Sequence, residues 1–110
     1  MVLVKACDVA TFPASGRFGF SARAVDVAIF KIGNSFFALE RYCPHARGDL
    51  LDGMVEGDHV ECPVHGATFD VRTGKFVQSE YVSPHLAKAM HDTKAFPVVV
   101  KDGAVFVEIP

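Results

Sequence analysis

Two short segments gather the residues able to do chemistry. Cys43-Pro44-His45 and Cys62-Pro63-Val64-His65 each offer one thiolate and one imidazole on a proline-containing turn, and 16 residues separate His45 from Cys62. A soft sulfur ligand beside an imidazole, twice over, is a metal-ligand set. The spacing alone leaves two metals open. Two cysteines and two histidines can close tetrahedrally around one structural zinc. They can equally divide between two irons, both cysteines on one and both histidines on the other. Zinc sites usually take their first pair as two cysteines and their second as two histidines. Here each segment mixes the types and the first has a single intervening residue, which favours iron–sulfur.

The elements that must carry these segments are short strands. The chain has 110 residues, half of them hydrophobic and 22% charged, with ten Phe and no Trp. That is the size of one domain, residues 1–110, with a core small enough to profit from a bound metal. Val2 to Lys5 reads as a first strand. Phe18 and Phe20 alternate with small residues, and Val25, Val27 and Ile29 alternate with Asp26 and Ala28, the period-two pattern of half-buried strands. Gly33-Asn34 predicts a turn into Phe36–Leu39. Asp102-Gly103 predicts a hairpin between Val98–Val100 and Val105–Val107, and Arg72–Lys75 a further tight turn. One helical turn or two is expected over Pro84–His91, capped by Ser83.

Between Arg41 and Lys94 the breakers crowd: Pro44, Gly48, Gly53, Gly57, Pro63, Gly66 and Gly74. Such a stretch predicts loops folded around something rather than core. The expected architecture is all-β, an antiparallel β-sandwich carrying a small loop-rich metal-binding subdomain over about 42–85.

Composition excludes several functions. The net charge is −2 and like charges run no longer than a pair, so nucleic acid is not an expected partner. No apolar run is long enough to span a membrane. Met1 to Asp8 lacks the apolar stretch and cleavage site of a signal peptide, and a cytoplasmic protein is expected. Three cysteines without a secretion signal argue against a disulfide framework, and Cys7 is expected to be a small buried hydrophobe. No nucleotide-binding glycine loop is present, nor a Ser–His or Cys–His nucleophile separate from the metal ligands. The chain is not expected to be an enzyme by itself.

Cys43-Pro44-His45-Ala46-Arg47-Gly48-Asp49-Leu50 and Cys62-Pro63-Val64-His65-Gly66 closely resemble the two cluster-binding boxes of Rieske proteins. Phe69-Asp70, Thr73-Gly74-Lys75 and the closing hairpin extend the likeness over nearly the whole chain. Among Rieske proteins the chain is most similar to the ferredoxin components of bacterial ring-hydroxylating dioxygenase systems. The resemblance implies the Rieske-like fold and one [2Fe–2S] cluster on Cys43, His45, Cys62 and His65. It also implies a one-electron carrier between a flavin-dependent NAD(P)H reductase and a terminal oxygenase, with docking at the tip of the two boxes. Pro84 would cover the cluster from a third loop. A carrier that must release each partner is expected to be a monomer.

Rieske proteins of respiratory cytochrome bc complexes resemble the chain at the ligands but differ around them. Their extra disulfide-forming cysteines match Gly48 and Val64. Their serine and tyrosine hydroxyls, which donate to the cluster sulfurs, match Ala67 and Phe69. A hydrogen bond to a charged group is worth about 1.5–3 kcal/mol. If wholly differential, each missing donor lowers a one-electron potential by roughly 60–130 mV. Within the Rieske range of about −150 to +300 mV, a value at the low end is expected.

Two other functions stay in view. The first is the small Rieske-like subunit of a reductase such as nitrite reductase, which would form a stable complex. The second is a zinc-stabilised binding module, which would be colourless. His59, His85 and His91 lack a partner cysteine of their own at ligand spacing. Asp49 and Asp52 read as turn and loop residues. Arg47 reads as a solvated charge whose place between the ligands suits it to docking.

Overall fold

The computed structural model describes residues 1–44, 47–64, 66–79 and 91–110. Eleven strands form three antiparallel sheets among these residues. The first joins β1 (Val2–Asp8), β11 (Ala104–Ile109) and β10 (Val98–Lys101). The second runs β2 (Arg17–Ala22), β3 (Val25–Ile32), β4 (Ser35–Glu40) and β9 (Ala95–Phe96). The third runs β5 (Met54–Glu56), β6 (His59–Glu61), β7 (Ala67–Asp70) and β8 (Phe76–Ser79).

The second sheet is the middle layer, and β3 shows why. Val27 and Ile29 face a core shared with Val105, Val107 and Ile109 of the first sheet. Ala28 and Phe30 face a second core shared with Val60, Ala67, Phe69 and Val71. All four β3 residues from Val27 to Phe30 are buried. The alternation that predicts a half-buried strand is therefore corrected: Ala28 is small because it packs under the third sheet, not because it meets water. Burial of Phe30 or Phe69 contributes about 1.5–3 kcal/mol each.

The described part of the breaker-rich stretch also holds more regular structure than expected. It holds the whole third sheet, and Cys43, Leu50, Val60, Cys62, Ala67, Phe69 and Val71 belong to one buried core. Glycines end its strands instead of dissolving them. Gly53 has close backbone on one side, since a Cβ there would meet the Glu61 carbonyl at 2.3 Å. The helix expected over Pro84–His91 and the Pro84 covering loop lie, apart from His91, outside the described residues. No helix among the described residues is long and apolar enough to cross a membrane.

Candidate metal centre

The two cysteines begin two loops of one design. The Cys43 N–H donates to the Gly48 carbonyl (2.8 Å), and the Cys62 N–H donates to the Ala67 carbonyl (2.7 Å). Each loop is thus pinched five residues beyond its cysteine. The fourth residue beyond it is left-handed in both, Arg47 at φ 55° and Gly66 at φ 63°. The two turns therefore share one backbone design at the described positions. His45, Ala46 and His65 fall outside the described residues, so the structure reports on two of the four expected ligands.

Those two are brought together. Cys43 and Cys62 are each 1% exposed, although their loops lie on different chain segments. Their thiols are hydrogen-bonded to each other, and the backbone N–H groups of Val64 and Gly48 are directed at the Cys62 sulfur. Burial pushes the Cys62 thiol up to about 11, and the neighbouring Cys43 thiol adds to the rise. A bound cation reverses that balance by holding sulfur as thiolate. Gly48 makes room for the pair, because a Cβ there would stand 2.6 Å from the Cys62 sulfur. Two adjacent buried sulfurs with backbone donors fit one iron of a [2Fe–2S] cluster. Among the described residues no three His, Cys, Asp or Glu side chains form a metal group.

A brace holds the first loop. Asp49 takes a bidentate ion pair from Arg41 (Nη2 to Oδ2, 2.8 Å) and accepts the Leu51 N–H at 2.9 Å, capping the 3-10 turn Leu50–Asp52. The Arg41 hydrogen bond, aided by the Leu51 N–H, holds the Asp49 carboxyl below the usual carboxylate range. Arg17 on β2 donates to the carbonyls of Leu51 (2.7 Å) and Gly53 (2.6 Å), pinning the link between the two loops to the middle sheet. The sequence reading places Asp49 in a turn, which it is, but misses Arg17 and Arg41. Their partners lie 34, 36 and 8 residues away, and no local pattern marks them.

The remaining expectations divide. Cys7 is partly buried against the first core and is a free thiol. His59 sits on β6 opposite Glu56 and Asp70. Arg47 is exposed, with its guanidinium 5.7 Å from the centre of the Tyr42 ring.

Three antiparallel sheets with two matched loops that bury a pair of cysteines together are the frame of an iron–sulfur domain. Residues 2–100 match the model of the Rieske [2Fe–2S] domain, and the chain belongs to that family. The group such a domain carries is one Rieske [2Fe–2S] cluster. The chain is 31% identical over 108 residues to the 3-phenylpropionate/cinnamic acid dioxygenase ferredoxin subunit of Escherichia coli K12, covering 97% of this chain and 93% of the relative. Its fold matches the ferredoxin of carbazole 1,9a-dioxygenase from Nocardioides aromaticivorans at a TM-score of 0.82, with 24% identity and full coverage of both chains. It also matches a chain in a complex of reduced oxygenase and oxidised ferredoxin of carbazole 1,9a-dioxygenase, at a TM-score of 0.77 and 30% identity, covering 96% of this chain and 91% of that one. The likeness to dioxygenase ferredoxins read from the two boxes is borne out.

Proposed function

We propose that this chain is a low-potential electron carrier, passing single electrons from a flavin-dependent NAD(P)H reductase to a terminal ring-hydroxylating oxygenase. The observation that carries the reading is the pairing of the Cys43 and Cys62 thiols, buried side by side on matched loops. Cys43 and Cys62 hold one iron in this reading, and His45 and His65 the other. When bound, the cluster supplies reversible one-electron transfer.

The protein does the rest by position. Leu50, Val60 and Phe69 are fully buried in the core that holds the cysteines and keep water from that side. Pro44, Arg47, Pro63 and Val64 stand exposed on the loops themselves, so a partner can approach closely there. The N–H groups of Val64 and Gly48 favour negative charge on the Cys62 sulfur. Ala67 and Phe69 bring no hydroxyl, which keeps the potential low and suits electrons arriving from reduced flavin. The reading further places the whole of residues 1–110 in one domain, working as a cytoplasmic monomer.

Low-temperature EPR of dithionite-reduced protein, with a redox titration on the same sample, tests this. A rhombic Rieske spectrum with a midpoint near the low end of about −150 to +300 mV is expected. A His45→Ala or His65→Ala variant should lose the spectrum and electron delivery together. Zinc in place of iron, or delivery by a cluster-free variant, would overturn the reading.

A further inference from the structure

Arg47 has features that holding a cluster does not require. It occupies a left-handed position at φ 55°, where the matched place in the second loop carries glycine, Gly66 at φ 63°. A glycine would satisfy the turn without strain, so the backbone does not call for an arginine there. That side chain is exposed and rests over Tyr42, which also receives the Arg41 guanidinium at 5.5 Å.

The two arginines differ in what they are free to do. Arg41 is committed to Asp49. No carboxylate among the described residues forms an ion pair with Arg47. This holds although Asp26 and Glu40 line the same cleft of about 180 Å³ with Arg47 and Tyr42. Asp26 is engaged instead by the Ser21 hydroxyl at 2.5 Å. An exposed guanidinium, held on an aromatic face and without an ion-pair partner among the described residues, is set to take a carboxylate in fork geometry. Arg41 lines that cleft as well but is held by Asp49, and Pro44 and Val64 stand exposed on the two loops, so Arg47 is the cation of the cleft that no described carboxylate engages.

We propose that Arg47 is the residue through which the chain docks to a carboxylate on its terminal oxygenase. The inference rests on the carrier reading above. A cation at the edge of an interface acts mainly on encounter and its salt dependence, and leaves the transfer step itself alone.

The test is anaerobic stopped-flow mixing of chemically reduced ferredoxin with an oxidised terminal oxygenase. The oxygenase is the one that the wild-type chain reduces fastest among a panel from aromatic dioxygenase systems. Arg47→Gly suits the backbone, and Arg47→Glu reverses the charge. Both should keep the wild-type EPR spectrum and midpoint. The half-saturating ferredoxin concentration should rise about fivefold in Arg47→Gly and further in Arg47→Glu, with the limiting rate unchanged and the salt dependence flattened. Unchanged half-saturation in both variants, with the wild type active, would sink the docking role alone. A rise accompanied by an altered EPR spectrum would also sink it, since Arg47 would then be shaping the loop. A wild type that holds its cluster but reduces no oxygenase would overturn the carrier reading and the docking role together.

Discussion

Arg47 and Gly66 hold the same place in two loops of one design: each is the fourth residue after its cysteine, and each has positive φ. A residue with a Cβ pays roughly 1–2 kcal/mol for that conformation. Gly66→Ala should therefore destabilise the protein by about that amount. Arg47→Gly sheds the same strain but gives up some unfolded-state restriction and the Tyr42 contact, each worth roughly 0.5–1 kcal/mol. Its stability should stay within about 1 kcal/mol of wild type. Thermal unfolding of the cluster-loaded proteins checks both. An equal loss in the two variants would mean that the loops are not equivalent.

Gly48 sets the distance between the loops. Its Cβ would stand 2.6 Å from the Cys62 sulfur and 3.0 Å from Val64 Cγ2. Gly48→Ala must push Cys62 aside, and disturbed surroundings of a ligand typically cost about 10–100-fold in metal affinity. Iron per chain, measured after purification and again after challenge with a chelator, should fall below about half of wild type. Full iron content with normal EPR would show that the loops can spread at no cost.

The Arg41–Asp49 pair makes the first loop acid-sensitive. Hydrogen bonding from Arg41 lowers the folded carboxyl below its ordinary value of 3.8. A group depressed in the folded state stabilises fully above its unfolded pKa and loses that contribution as pH falls through the folded one. Asp49→Ala removes the ion pair and the cap on Leu51, at a cost of about 1–3 kcal/mol at neutral pH. The gap in melting temperature between wild type and variant should hold steady from neutrality to about pH 5 and narrow below about pH 4. A constant gap into acid would mean that the carboxylate charge contributes nothing.

The parts of this fold that are legible in the sequence are those governed by local chemistry. Asp102-Gly103 takes positive φ at both residues, 53° and 75°, and closes β10 onto β11 as the pair predicts. The β2–β3 turn is as tight but uses Arg23 and Ala24, at φ 51° and 64°, and no turn residue betrays it. The third sheet escapes detection because β5 and β6 have three residues each, too few to display a period. The cysteines are legible from residue type and spacing. The brace of Arg17, Arg41 and Asp49 is not, since it exists only once β2 lies against the 3-10 turn.

The two positions that set the expected potential lie inside the site. Ala67 and Phe69 are fully buried on β7, and the Ala67 carbonyl takes the Cys62 N–H at 2.7 Å. Phe69 packs edge-on against Phe76, with ring centres 6.0 Å apart and planes at 74°. A hydroxyl added at either position is buried and must find an acceptor or cost stability. A cluster sulfur is the acceptor that the respiratory Rieske pattern uses there. Ala67→Ser and Phe69→Tyr should each raise the midpoint by roughly 60–130 mV, from a bond of about 1.5–3 kcal/mol. Redox titration of each variant measures the shift, and the double variant should approach the sum if the two bonds are independent. A lower melting temperature with no change in midpoint would mean that the hydroxyls are buried without reaching sulfur. The low potential proposed above would then need another cause, with exposure of the loops to solvent the next to examine.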